Sequence, residues 1–180
     1  FRDYLACPYR FYLRHVEKLE AVAGLDGELS GATFGTLIHA ALNKWAESDV
    51  VDATDPLEIG NFVRQAFDEA AAESFDDEPL PAVKLQFEQA RLRLKAFAEW
   101  QAIHRRKGWK VRYYEVMASQ PLLLPSGKTI EIRGRIDRID YNASSDKWLI
   151  LDYKTGDAGD SPDKVHIQSG AWVDLQLPLY

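Results

Sequence analysis

The sequence carries a single cysteine, Cys7, among 180 residues. One thiol excludes an internal disulfide framework and any zinc site built from several cysteines. It also suits a cytoplasmic origin, where thiols stay reduced. No apolar run is long enough to span a bilayer, so no membrane partner is expected. The chain opens Phe1-Arg2-Asp3-Tyr4, without an initiator methionine or a secretory signal, and reads as a piece of a longer one. Positive charge is in short supply: 22 Lys and Arg stand against 28 Asp and Glu, a net charge of −6. Proteins that grip nucleic acid by phosphate contacts alone are basic, so strong non-specific binding by this chain is disfavoured. An acidic chain can still act on phosphates if clustered carboxylates carry cations.

Hydrophobic residues make up 46%, enough for one domain with a sizeable core. Residues 1–20 mix aromatic and basic side chains at helical spacing, interrupted at Pro8. The pattern then predicts a helix from Thr33, as N-cap, to about Ser48, with Phe34, Ile38, Leu42 and Trp45 on one stripe. Asp55-Pro56 predicts an N-cap and a first helical proline, with the helix running to about Glu73. A longer helix is expected from Ala82 to about Lys107, offering Leu85, Leu92, Phe97, Trp100 and Ile103 for burial and stopping at Gly108. From Lys110 the pattern changes to strands around turns at 125–127 and 141–146, and a last helix is expected from about His166. Helices, a small antiparallel meander and a closing helix make an α+β arrangement.

Two strands carry the chemistry. Trp148-Leu-Ile-Leu151 is an apolar run that ends in Asp152 and Lys154, two residues apart and therefore on one face. In Gly134-Arg-Ile-Asp-Arg-Ile-Asp140, Asp137 shares a face with Glu131, Arg133 and Arg135. If the two strands form a hairpin, Asp137 and Asp152 face each other only when paired residue numbers sum to an odd value, or a bulge intervenes. The simplest hairpin, pairing Tyr141 with Lys147, has an even sum and would send the carboxylates to opposite faces. Two adjacent carboxylates repel and are stable as anions only around a cation. Oxygen ligands favour Mg²⁺ or Mn²⁺, which can neutralise a scissile phosphate and sharpen a water into a nucleophile. Lys154 could polarise that water. A surface salt bridge between Asp152 and Lys154 is the competing reading of the strand.

Asp137, followed across a hairpin by Asp152-Tyr153-Lys154, resembles the PD-(D/E)xK nuclease superfamily. Gly134-x-x-Asp137, Asp152-Tyr-Lys-Thr-Gly156 and Gln176-x-x-x-Tyr180 are similar to its RecB-type branch. Phe34-Gly-Thr-Leu-Ile-His39 resembles that branch's histidine-bearing helix, and Cys7-Pro-Tyr-Arg-Phe-Tyr-Leu13 the opening of AddB-type nuclease domains. The five pieces occur in the family's order from end to end of the chain.

The resemblance implies a restriction-endonuclease-like core: a small, mainly antiparallel mixed sheet flanked by helices, with a helical N-terminal part, in one domain over residues 1–180. It implies His39, Asp137, Asp152 and the Tyr153 carbonyl as metal ligands, Lys154 as the catalytic lysine, and Gln176 and Tyr180 on a helix face over the site. Glu115 falls where related sequences often carry a glutamate, and a supporting role is expected. In iron–sulfur members the first cluster cysteine lies at the position of Cys7 and three more follow the last helix. One thiol cannot hold a [4Fe–4S] cluster, so either a cluster belongs only to a full-length parent or Cys7 is simply a small apolar residue. The family fold also continues with a strand beyond the Gln176 helix, so a C-terminal truncation is expected.

The expected activity is Mg²⁺-dependent hydrolysis of DNA phosphodiesters, as an exonuclease part of a double-strand-break repair helicase–nuclease. Arg133, Arg135, Arg138 and Lys164 are candidate contacts to the DNA backbone, with a helicase or second subunit supplying the main grip. The alternative is a nuclease-like module that binds DNA or scaffolds a partner without cutting.

Overall fold

The structure is a computed structural model and describes residues 2–18, 27–75, 78–124, 126–156, 167–168 and 171–172. Capping side chains open two of its long helices. Ser30 Oγ accepts the Thr33 N–H at 3.0 Å, so α3 (Gly31–Ala46) is capped by Ser30 rather than by the expected Thr33. Asp55 caps α4 (Pro56–Ser74) through the Leu57 N–H at 2.9 Å, with Pro56 in the first turn as expected. The third long helix, α5 (Pro81–Arg106), ends in His104, Arg105 and Arg106 before Gly108, whose φ of +91° only glycine adopts without strain. Two short helices, α1 (Arg2–Ala6) and α2 (Pro8–Phe11), precede these and run into a π-helical turn, Tyr12–Val16.

Strands β1 (Trp109–Leu123), β2 (Thr129–Asn142) and β3 (Lys147–Leu151) form a sheet in that order, and β4 (Ile167–Gln168) pairs with β5 (Ala171–Trp172). The expected α+β arrangement of helices flanking a small antiparallel sheet is the one observed. The helix expected from His166 is corrected at residues 167–168 and 171–172, which pair antiparallel as strands. Ile167 and Trp172 favour strands, and Gly170 is a poor helix residue.

The chain divides into two compact units: residues 1–25, 118–134 and 157–180, and residues 26–117 and 135–156. In the first, the Phe11 ring packs on Tyr4 at 5.5 Å and on His15 at 4.9 Å, while Asp3 accepts from His15 at 2.8 Å. Also in that unit, Ser119 Oγ donates to Glu131 at 2.6 Å.

The second unit holds the main core. It combines Phe34, Leu37, Ile38, Leu42 and Trp45 of α3, Ile59, Val63 and Phe67 of α4, and Val83, Phe87, Ala90, Leu94, Ala98 and Ala102 of α5. The α3 stripe is the expected one. The α5 stripe is not: Leu85, Leu92, Trp100 and Ile103 are exposed, and Phe97 is only partly buried. Alanines at 90, 98 and 102 face inward instead, leaving room for neighbouring helices where larger side chains would collide.

Within the second unit, β2 and β3 pair antiparallel, with Arg138 opposite Leu151, Tyr141 opposite Trp148 and Asn142 opposite Lys147. Paired numbers therefore sum to an odd value, not the even value of the simplest hairpin, and no bulge is needed. Carried one step further, this register places Asp137 opposite Asp152. Asn142 holds the turn: its Oδ1 accepts the Ser144 N–H at 3.0 Å, and its Nδ2 donates to the Lys107 carbonyl at 2.8 Å.

Candidate metal centre

α3 supplies His39 one turn after the close approach of Gly35 to the chain that follows β3. A Cβ on Gly35 would sit 3.0 Å from Thr155 Oγ1, which is the physical reason for glycine inside this helix. Arg93 secures the same segment by donating to the Thr155 carbonyl, and its guanidinium lies over the Phe34 ring at 5.1 Å.

β1 supplies Glu115 at a backbone φ of +49°, in the left-handed region that non-glycine residues seldom adopt. Two neighbours hold its carboxylate: Asn43 Nδ2 donates to Oε1 at 3.0 Å, and Arg135 Nε reaches Oε2 at 2.8 Å. Asn43 stands one helical turn after His39, so both side chains reach the same place. β2 supplies Asp137, which is 8% exposed. Its Oδ2 accepts the Tyr153 N–H at 2.7 Å, and its Oδ1 lies 3.9 Å from His39 Nδ1. The Tyr153 carbonyl faces His39 Nε2 at 3.2 Å.

Ligand atoms of His39, Glu115 and Asp137 all lie within 4.8 Å of one another. Burial raises the Asp137 carboxyl from its ordinary value. The Tyr153 N–H and His39 oppose that rise, and the charges of Asp152 and Glu115 add to it. His39 Nδ1 is buried with no hydrogen-bond partner. A nitrogen lacking a partner beside two carboxylates is a donor set that fits a divalent cation, which would relieve the repulsion around Asp137. Asp152 lies outside this three-residue cluster and pairs with Lys154 Nζ at 2.6 Å. A cleft of about 430 Å³ opens beside the cluster, lined by Thr36, His39, Glu115, Arg135 and Thr155 among others.

The sequence model of the PD-(D/E)XK nuclease superfamily matches residues 1–180. The chain belongs to this superfamily. It is also 30% identical over 170 residues to an uncharacterized protein of Rickettsia bellii (strain RML369-C), a match covering 91% of this chain and 18% of that one. The chain thus spans less than a fifth of that relative's length. As a PD-(D/E)XK member it is a nuclease-like domain, from a superfamily whose nucleases use divalent metals and act on DNA. No helix among the described residues is long and apolar enough to cross a membrane.

The structure of this PD-(D/E)XK domain brings together His39, Asp137 and the main chain of Tyr153, with Asp152 and Lys154 adjoining. It adds Glu115 to the cluster itself, beyond the supporting place expected for it. The family resemblance put a glutamate at this strand position, but the +49° φ that aims it has no signature in sequence. Gln176, Tyr180 and Lys164 lie outside the described residues. Cys7 carries a free, part-buried thiol in the first unit.

Arg138, expected to contact DNA, is 1% exposed and cannot reach a phosphate. It faces the helices, where Asp140 binds it with two contacts of 2.6 Å. Arg133 is exposed and pairs with Glu131, whereas Arg135 is 60% exposed and lines the cleft.

Proposed function

We propose that the chain is a RecB-like, AddB-type nuclease domain that hydrolyses DNA phosphodiesters with Mg²⁺ or Mn²⁺, as the exonuclease part of a cytoplasmic helicase–nuclease in double-strand-break repair. The observation that supports this best is the convergence of His39, Glu115 and Asp137 within 4.8 Å, beside the Tyr153 carbonyl. These groups, joined by Asp152, would hold the cation. Bound there, it supplies positive charge for a phosphate and makes a water more acidic.

The chain's own residues do the rest. The Lys154 ammonium, 55% exposed and held by Asp152, orients the attacking water and offsets charge that grows on the phosphate oxygens. Arg135, in the cleft wall, meets the backbone of the substrate strand. Asn43 keeps Glu115 aimed at the centre, and His39 is aimed by its helix. A net charge of −6 leaves the main grip on DNA to helicase or partner domains.

The test is cleavage of linear single- and double-stranded DNA with Mg²⁺ by wild type, Asp152→Ala and Lys154→Ala. The two variants should lose at least about 100-fold in kcat. Equal cutting by all three removes the roles given to these residues. Calorimetry that detects no Mn²⁺ binding by the wild type would favour the non-catalytic scaffold.

A further inference from the structure

We propose that the buried Arg138–Asp140 pair is a positioning device for the metal centre, acting through the side chain of Tyr153. The inference rests on the nuclease reading above for what is positioned, but the clamp itself is visible in the packing. Regular pairing of β3 ends at Leu151, so Asp152, Tyr153 and Lys154 lie beyond the last ladder bonds. Something else must hold them.

Tyr153 is held at three points. Its hydroxyl accepts from Arg138 Nη1 at 3.2 Å. Its own N–H donates to Asp137 at 2.7 Å, and its carbonyl meets His39 at 3.2 Å. The ring is wedged edge-on between Phe97 at 6.0 Å and His39 at 5.9 Å. Asp137 and Arg138 are consecutive, so one grips the main chain of Tyr153 and the other its hydroxyl. The closed loop leaves the segment little freedom to rotate.

Arg138 is itself enclosed and held on several sides. It is 1% exposed and lies over the Trp45 ring at 5.2 Å and the Trp100 ring at 5.9 Å. Its partner Asp140 is fully buried and accepts from His104 Nε2 as well, at 2.8 Å. His104 is stacked between Trp100 at 4.5 Å and Trp109 at 5.4 Å. Stability alone is a weak reason to keep such a pair, since well-packed apolar replacements of buried ion pairs are often as stable. Arg138 presents fixed donors in two directions, toward Asp140 and toward Tyr153, which an apolar residue could not do.

The test compares wild type, Tyr153→Phe, which removes only the hydroxyl, and the apolar double variant Arg138→Met/Asp140→Leu, all in the 180-residue chain. The first readout needs no metal: hydrogen exchange of the residue 153 amide. Both variants should speed it by about tenfold, the scale of one lost hydrogen bond, while the Val63 and Phe67 amides of α4 stay unchanged. The second readout is Mn²⁺ affinity by calorimetry, expected to weaken about three- to tenfold. In the cleavage assay kcat should fall with KM for DNA unaltered, the mark of a displaced centre and not of a lost binding surface. Unchanged exchange at residue 153 in both variants overturns the proposal. Wild-type protein that neither binds Mn²⁺ nor cuts DNA refutes the nuclease reading instead, and the exchange result still decides whether the clamp exists.

Discussion

Replacing Asp137 by asparagine should change the sign of its effect with metal. Ligand atoms of Asp137 and Glu115 lie no more than 4.8 Å apart. At an effective dielectric of 20, two like charges at that separation repel by about 3 kcal/mol. Part of this is already absorbed, because Arg135 and Asn43 hold Glu115. Asparagine still accepts the Tyr153 N–H, though more weakly than a carboxylate, by about 1 kcal/mol. In EDTA, therefore, Asp137→Asn should be more stable than wild type by about 1–2 kcal/mol, or about 2–8 °C in a chain of this size. Mn²⁺ at a hundred times its Kd should stabilise the wild type by about 2.7 kcal/mol and the variant by far less, so the order reverses.

The pH dependence has a definite sign. The Asp137 carboxyl is raised above its ordinary value of 3.8, so the folded chain keeps a proton that the unfolded chain has lost. Its favourable contribution is complete below that value and is lost as pH rises through the folded pKa. The advantage of the variant in EDTA should widen over that interval. Thermal unfolding in EDTA and across an Mn²⁺ titration measures all of this. A variant less stable than wild type in EDTA, or one that gains as much from Mn²⁺, would refute the reasoning.

Three further outcomes are expected. A Cβ at Gly60 of α4 meets only the Ala98 Cβ at an ordinary 3.6 Å, so Gly60→Ala should gain about 1 kcal/mol of helix propensity and raise the thermal midpoint by about 2–4 °C. Gly35→Ala gains the same propensity but presses on Thr155 Oγ1 at 3.0 Å. The midpoint should then move by less than about 2 °C while cleavage falls at least about tenfold, since Thr155 adjoins Lys154; full activity would show that the approach is slack. Burial holds His104 below its ordinary value of 6.5, against the opposing pull of Asp140. The unfolded chain therefore takes up a proton before the folded one, and stability falls as pH drops through 6.5 toward the folded pKa. His104→Gln should flatten that slope in urea titrations at successive pH values.

Local chemistry is what the sequence by itself determined. Asp55-Pro56 and Gly108 mark helix ends because a cap acts within a few residues of itself. Phe34, Ile38, Leu42 and Trp45 show the inner face of α3 because one helical period aligns them. The order of Asp137, Asp152-Tyr-Lys154 and the histidine helix is likewise written in the chain, and with it the superfamily. The tertiary structure decided what depends on partners far away in sequence. Bonds from Asn142 to the turn and to Lys107 accompany the register that sets Asp137 opposite Asp152. The left-handed backbone at Glu115 delivers a carboxylate that alternation alone would not aim at the site. Arg138 reads as a solvent-facing strand arginine until Trp45 and Trp100 arrive from other elements and enclose it with Asp140. A charged side chain's surroundings are set by whichever elements pack against it, and no local pattern encodes them.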